Sequence, residues 1–125
     1  MKRTSLVLTI SILFFVTPCF AFDLTLTWNP NPETDLAGYK VYRSSVAGGP
    51  YTIEGNVVPS LTPNFVWPVP ANTEAMQYFV VTAHDTAGNE SVYSNEVSIF
   101  VDNKAPGMPQ GLQVIIIVLP GISGR

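Results

Sequence analysis

Cysteine and histidine are almost absent from this sequence, which contains one of each among 125 residues. The cysteine, Cys19, lies in an N-terminal segment that we expect to be removed. The remaining chain then offers no disulfide, no thiol nucleophile and no thiolate metal ligand. The single histidine, His84, excludes the usual zinc-binding sets, which need several cysteine or histidine ligands. No cofactor is therefore expected.

Charged residues are also scarce, at 12% of the sequence, and they form no basic run. Six basic residues face nine acidic ones, and two of the basic residues, Lys2 and Arg3, precede the expected cleavage point. The remaining chain has a net charge of about −5, which argues against nucleic acid or an anionic membrane as a partner. Low charge together with many prolines and aromatic residues is typical of a β-rich extracellular module.

Residues 1–21 have the order of a secretory signal peptide. Two basic residues precede the apolar stretch Leu6 to Val16, Pro18 breaks the apolar character, and Ala21 is a small residue before the expected cut. The apolar stretch is too short to span a bilayer comfortably. We expect a secreted protein, extracellular or periplasmic, without membrane contact after cleavage. An uncleaved N-terminal anchor and a lipoprotein modified at Cys19 are the alternatives.

The rest of the chain contains short alternating stretches separated by turn formers. Leu24, Leu26 and Trp28 alternate with threonines, which predicts a strand with one apolar face and a buried Trp28. The other predicted strands are 38–43, 51–54, 65–69, 78–83 and 94–101, with irregular chain at 55–64 and at most one helical turn at 71–77. Strands at this spacing, without a helical period, predict an all-β antiparallel sandwich over residues 22–101.

The stretch Tyr78 to Val97 organises this predicted domain. Phe79, Val81 and Ala83 alternate with residues of the opposite face, and a cluster of turn formers follows at 85–89. The pattern predicts a hairpin. Because an isolated hairpin is marginal in water, the other strands must cover its apolar face.

Two stretches resemble the fibronectin type III family, in particular its bacterial secreted members. They are Leu26 to Arg43, which contains LTWNP and TDLAGYKVYR, and Tyr78 to Val97. The resemblance implies an immunoglobulin-like, seven-stranded Greek-key sandwich. Its inward residues would be Trp28, Tyr39, Val41, Phe79, Val81 and Ala83.

The sequence departs from the family pattern in three places. Gln77 stands where members usually have a tyrosine whose hydroxyl ties a corner of the fold together. The connection Val69 to Gln77 lacks the usual leucine and glycine spacing. The first strand is missing, since only Phe22 and Asp23 precede the second strand.

Residues 102–125 combine a linker rich in proline and glycine with the apolar run Leu112 to Leu119. The run is too short to cross a membrane but long enough for a buried strand. The segment Ala105 to Val114 resembles the entry to another type III repeat. We interpret the run as the start of a second repeat or as a replacement first strand, docked in its own domain or exchanged within a homodimer. Docking of some kind is favoured because an exposed run would aggregate.

No residue set predicts a catalytic, cofactor or metal site. His84 and Asp85 point to opposite faces of a strand, and nothing indicates an oxyanion site for Ser91 or Ser94. We therefore expect a solvent-facing His84. The carboxylates near one end of the sandwich match no calcium-loop spacing and are expected to be solvated. They are Glu33, Asp35, Asp85, Glu90 and Asp102.

Four aromatic residues predict either a sugar-stacking surface or packing across the sheet. They are Tyr42, Tyr51, Trp67 and Tyr93.

The expected function is a non-catalytic secreted or cell-surface module for protein interaction, adhesion or domain spacing, with a protein or glycan ligand. The alternative is an accessory domain, associated with carbohydrate, of a secreted glycoside-degrading enzyme. The sequon Asn89-Glu90-Ser91 has meaning only in a eukaryotic secretory host.

Overall fold

The computed structural model of the protein describes residues 22–117 and 121, so the expected signal peptide lies outside the described residues. The described part contains six strands and no helix that could span a membrane. The strands are β1 (Asp23–Thr27), β2 (Leu36–Ser44), β3 (Thr52–Val57), β4 (Asn64–Pro68), β5 (Glu74–Asp85) and β6 (Val97–Asp102).

The six strands form two antiparallel sheets that pack face to face. One sheet has two strands, β1 and β4, and the other has four strands in the order β3-β2-β5-β6. Alternation along each strand directs one set of side chains into the space between the sheets. The predicted all-β antiparallel sandwich is confirmed.

The core lies between the two sheets. Its buried apolar members are Val41, Trp67, Val69, Phe79 and Val101. The rings of Trp67 and Phe79 meet edge to face, with centroids 5.5 Å apart, and so join the two sheets. Tyr39 is also buried, and its hydroxyl accepts a hydrogen bond from the Asn31 amide at 2.7 Å. The predicted inward positions at Tyr39, Val41 and Phe79 agree with this core.

Gly38 permits a close approach of β2 to its neighbours. A Cβ atom at this position would lie 2.7 Å from the Val57 carbonyl oxygen and 3.1 Å from His84 Nε2. The pairing of β2 with β5 also shifts register between Leu36 and Gly38. A side chain larger than hydrogen therefore does not fit between these strands.

Two local predictions are wrong. Residues 55–57 are not irregular, because Gly55 and Val57 pair with β2 and extend β3. Residues 71–77 form no helical turn, because Asn72 has a φ of 62° and donates its amide to the Asn103 carbonyl at 2.9 Å. β5 then begins at Glu74, where pairing with β6 starts.

The pairing of β5 with β6 ends at Phe79 and Val97, and serine side chains continue it. The Val81 amide donates to Ser94 Oγ at 2.9 Å, and the Ala83 amide donates to Ser91 Oγ at 3.0 Å. Residues 94–96 are therefore not part of the strand predicted at 94–101. The edge of β5 is closed here by hydroxyl groups.

The C-terminal tail, residues 112–117, lies outside any strand and is exposed. The favoured expectation, docking in the vacant place of its own domain, is therefore not what the structure has. The chain leaves β6 at the end of the sandwich where β1 begins, since Asn103 and Phe22 both bond to the connection between β4 and β5. Residues 118–120 of the apolar run lie outside the described residues.

Candidate functional site

A groove opens between the two sheets beside β1. Its apolar walls are formed by Leu26 and Trp28 at the end of β1, by Val81 on β5 and by Val97 on β6. Its volume is about 290 Å³, and no charged side chain lines it. We call this feature the β1 groove.

One edge of β1 borders the groove without a strand partner. All five residues of β1 pair with β4 on the opposite side. Within residues 22–117, no strand pairs with the other side. The sequence of β1, DLTLT, contains no lysine or proline, the residues that commonly protect an edge. Backbone donors and acceptors on this edge are therefore available to an added strand.

The inward face of β6 is only partly covered. Val97, Ile99 and Val101 share one parity, but Val101 is 1% exposed whereas Val97 and Ile99 are 45% and 42% exposed. The difference arises because the two-stranded sheet does not reach over this part of β6. Two branched apolar side chains consequently face solvent from the interior side of the sandwich.

Trp28 forms the wall of the groove at the end of β1. Its ring meets that of Tyr39 edge to face, with centroids 5.3 Å apart. It is half-buried rather than buried as predicted, because the groove leaves one side of the indole uncovered. Among the described residues, its Nε1 atom is buried and has no hydrogen-bond partner.

A cluster of three tyrosines lies on the outer face of the four-stranded sheet. Tyr93 meets Tyr42 and Tyr51 edge to face, with centroids 5.3 and 5.0 Å apart. The Tyr42 hydroxyl donates to Glu90, and the Tyr51 hydroxyl donates to Glu96. The rings therefore form no flat platform. Trp67, the fourth aromatic residue considered from the sequence, lies in the core instead.

Glu90 is held by three donors. Lys40 Nζ lies 2.6 Å from its carboxylate, Thr82 Oγ1 lies 2.7 Å away, and the Tyr42 hydroxyl also donates. These contacts, with Lys40 contributing most, lower the pKa of Glu90 to about 2. The same ion pair raises the pKa of Lys40. Glu90 thus ties β2 to β5 across the outer face.

Asp85 caps the turn after β5. Its carboxylate accepts hydrogen bonds from the Asn89 side chain and amide, both at 2.8 Å, and from the Ala87 amide at 3.0 Å. These bonds, of which that from the Asn89 side chain contributes most, lower the pKa of Asp85.

In residues 22–117 and 121, no three histidine, cysteine, aspartate or glutamate side chains are grouped to hold a metal ion.

His84 and Ser91 line one shallow depression, but among the described residues no hydrogen bond joins His84 to Ser91 or Ser94. His84 is half-buried opposite Gly38, so it is less exposed than expected. The hydroxyls of Ser91 and Ser94 accept amides of β5 and donate to the carbonyls of Val92 and Asn95, both at 2.9 Å. Each hydroxyl thus accepts from the edge of β5 and donates its proton to a neighbouring carbonyl.

The arrangement of strands can be compared with that of known proteins. A Fn3-like protein from Clostridium thermocellum, known from its crystal structure, is 29% identical to this chain with a TM-score of 0.50. The match covers 70% of this chain and 81% of that one. This chain contains a fibronectin type III-like domain. No family model matches the sequence, and no curated protein matches it.

In this fibronectin type III-like domain, Gln77 takes the position of the corner tyrosine that the resemblance implied, but it makes a different contact. Gln77 is buried, and its Oε1 atom accepts a hydrogen bond from Arg43 Nη1 at 2.8 Å. Arg43 Nε donates in turn to Glu54 at 2.6 Å. A partnered polar group therefore closes this end of the core.

The domain also lacks one of the seven strands that the resemblance implied, since the described residues contain six. The vacancy expected before the second strand corresponds to the free edge of β1. Sequence reasoning identified the vacancy but missed the two residues it uncovers, Val97 and Ile99. The sequence contained the necessary signal: Val97 and Ile99 alternate in step with Val101 and so point inward, and the missing first strand leaves inward residues uncovered.

Proposed function

We propose that this fibronectin type III-like domain is a non-catalytic interaction module that binds an extended protein segment in the β1 groove. The observation that carries the proposal is the exposure of Val97 and Ile99, at 45% and 42%, beside an unpaired strand edge. In this proposal the domain acts outside the cell or in the periplasm, after removal of residues 1–21.

Binding would proceed by strand addition. Backbone groups of the incoming segment bond to the free edge of β1 and supply affinity, while alternate side chains enter the groove and supply specificity. Leu26, Val81 and Val97 provide apolar contacts. Because the lining contains no charged side chain, the inward residues of the segment should be apolar.

The carbohydrate-associated alternative has less support. It would use the outer-face aromatic residues, but Trp67 is 5% exposed and belongs to the core. The three tyrosines stand edge to face, and two of their hydroxyls are bound by carboxylates. Sugar rings pack on flat, exposed aromatic faces. The three tyrosine rings do not present such a face, because they are turned edge to face against each other. The β1 groove therefore supports protein binding better than the outer face supports sugar binding.

The test uses a variant that ends at Pro109, so that the groove is free of the tail. All six strands precede this point, and those of the deleted residues that the structure describes, 110–117 and 121, are exposed and outside any strand, so the sandwich should remain folded. A designed peptide of alternating valine and threonine is added while backbone amide resonances are followed by NMR. We expect shifts concentrated at β1 and at Val97.

Two controls make the result specific. The same peptide with alternate amides N-methylated cannot bond to a strand edge and should bind at least about tenfold more weakly. Val97→Lys, which places a charge in the lining of the groove, should block binding, whereas Phe100→Lys, on the other face of β6, should not. Shifts that avoid β1, or equal binding of the methylated peptide, would contradict the proposal.

A further inference from the structure

We infer that the segment filling the β1 groove is the tail, residues 112–117, of a second copy of this chain. The inference rests on the proposed function, since it names the partner for the same groove. It joins two features of one molecule that the structure leaves uncovered. One is the groove with its free strand edge, and the other is an exposed apolar segment of strand-forming residues.

The tail requires a partner surface. Five of its apolar side chains are 77–95% exposed. They are Leu112, Val114, Ile115, Ile116 and Ile117. Four of these residues are β-branched and consecutive, which favours an extended strand. An exposed run of this kind associates with other strands unless it is covered.

The tail is apolar on both faces, and this favours a second copy over its own domain. In a strand, Val114 and Ile116 point to one side, and Ile115 and Ile117 point to the other. The groove of a single domain covers only one of these faces. In an exchanged dimer the two domains lie side by side, so a tail docked in one groove has its other face against the partner. Continuous apolar runs are typical of strands covered on both faces.

The place where the chain leaves the sandwich also favours exchange. Asn103, directly after β6, bonds its amide to the Thr73 carbonyl at 2.7 Å. The Val69 amide, in the same connection, donates to the Phe22 carbonyl at 3.1 Å. The tail therefore departs at the end where β1 starts. An antiparallel partner of β1 must enter from the Trp28 end. The chain's own tail would therefore have to run along the whole length of the sandwich before it could pair with β1.

A second copy solves this problem by its orientation. Two domains side by side and antiparallel place the departure point of each beside the Trp28 end of the other. The linker contains Pro106 and Pro109, which stiffen it in an extended form and oppose a sharp return. The arrangement has two-fold symmetry and closes with two identical exchanges.

Charge does not oppose the contact. Residues 110–117 carry no charged side chain, and neither does the lining of the β1 groove. Docking thus buries apolar surface without desolvating an ion. The strand edge is satisfied by backbone groups of the tail, and Val97 and Ile99 gain the cover they lack.

The first experiment measures the molar mass of the purified chain by analytical ultracentrifugation over a range of concentrations. We expect a dimer. Ile115→Asp and Ile116→Asp, on opposite faces of the tail, should each raise the dimer dissociation constant more than about tenfold. The matched control is Val58→Asp, because Val58 is also an exposed β-branched residue, at 76%, but lies outside the tail and the groove. This variant should dimerise like the parent chain.

The second experiment tests the exchange directly by complementation. One partner carries Val97→Lys, which blocks its groove but keeps its tail, and the other ends at Pro109, which removes its tail but keeps its groove. Each alone should be monomeric, and their mixture should form a one-to-one dimer. A mixture that remains monomeric would overturn the inference. So would a dimer that survives removal of the tail.

The outcomes separate this inference from the proposed function. If the intact chain is monomeric and its tail amides are protected from exchange, the tail docks in its own domain and the exchange is wrong. If the intact chain is monomeric with unprotected tail amides, but the chain ending at Pro109 binds the designed peptide, the groove accepts other segments. In both cases the exchanged dimer is contradicted, whereas the proposed binding of a segment in the β1 groove is not. Failure of the shortened chain to bind the designed peptide, together with a dimer that is insensitive to Val97→Lys, would contradict both proposals.

Discussion

The guanidinium group of Arg43 lies 5.0 Å from the centroid of the Trp67 ring. Its Nε atom donates to Glu54 at 2.6 Å, and its Nη1 atom donates to Gln77 at 2.8 Å. One side chain thus covers the edge of the core, pairs with a carboxylate and satisfies a buried amide oxygen. These three contacts join strands β2, β3, β4 and β5.

Replacing this arginine should therefore destabilise the domain strongly. Arg43→Ala leaves Gln77 Oε1 buried without its donor and uncovers the Trp67 ring, and we expect a loss of about 2–3 kcal/mol. Urea unfolding followed by tryptophan fluorescence measures the change. Lys104→Ala, which breaks an exposed ion pair with Glu74, is the control and should cost less than about 1 kcal/mol. Equal losses would show that the Arg43 contacts are worth no more than a surface pair.

The two tryptophans should differ in their contribution to stability. Trp67 is buried against Phe79, so Trp67→Ala should cost about 3–5 kcal/mol. Trp28 is half-buried in the wall of the β1 groove, so Trp28→Ala should cost less. Both values come from urea midpoints and slopes on the chain ending at Pro109. A larger loss at Trp28 would mean that the groove is closed in solution.

Glu90 should make stability dependent on pH in the acid range. Its pKa in the fold is about 2, below the ordinary value of 4.5, so the ionised carboxylate stabilises the fold. This stabilisation is complete above pH 4.5 and is lost as the pH falls towards 2. Glu90→Gln should be less stable than the parent at pH 7, and the difference should shrink as the pH is lowered.

Thermal unfolding at a series of pH values tests this dependence. Glu33→Gln, in the exposed loop before β2, is the matched substitution and should follow the parent chain closely. A difference between Glu90→Gln and the parent that stays constant from pH 7 to pH 2 would contradict the assignment. High salt should reduce the difference at pH 7, because Lys40 and Glu90 are partly exposed.

Gly38 should not tolerate even a methyl group. Gly38→Ala would place a Cβ atom 2.7 Å from the Val57 carbonyl oxygen, and the resulting shift between β2 and β3 should cost about 1–3 kcal/mol. Gly107→Ala, where no atom lies within 4 Å of the added Cβ, should be close to neutral. Chemical denaturation compares the two. A neutral Gly38→Ala would show that the strands separate at little cost.

Residues 1–21 provide the prediction about export. Their basic start, apolar stretch and terminal small residue predict cleavage after Ala21, which makes Phe22 the first residue of the exported protein. Mass spectrometry of material from the medium or the periplasm reads this directly. Mature protein that begins with Met1 would refute the prediction.

Strand parity predicted the centre of the domain well because both sheets are present there. Tyr39 and Val41 alternate with Lys40 and Tyr42, and Tyr39, Val41 and Phe79 each have a sheet opposite to cover them. Val80, of the opposite parity, is also buried. Trp28 and Val97 have the inward parity but are not fully buried. Parity gives the direction of a side chain, whereas burial depends on whether another strand lies opposite.

The local errors arose where tertiary pairing overrides local pattern. Residues 71–77 look helical by composition, but pairing with β6 draws Glu74 into β5, and Asn103 fixes the preceding turn through Asn72. The acidic residues behaved similarly. Glu90 is bound across the sheet by Lys40, a residue 50 positions away, and no local spacing in the sequence reveals that contact.

The anchoring of Phe22 and Asn103 to one connection has a mechanical consequence. Tension applied through these two points acts across the strands rather than along them. β1 would then peel from β4, and β6 from β5, with hydrogen bonds breaking one after another instead of sharing the load. Such a module yields at low force, and it behaves as a compliant element in any assembly that stretches it from both sides.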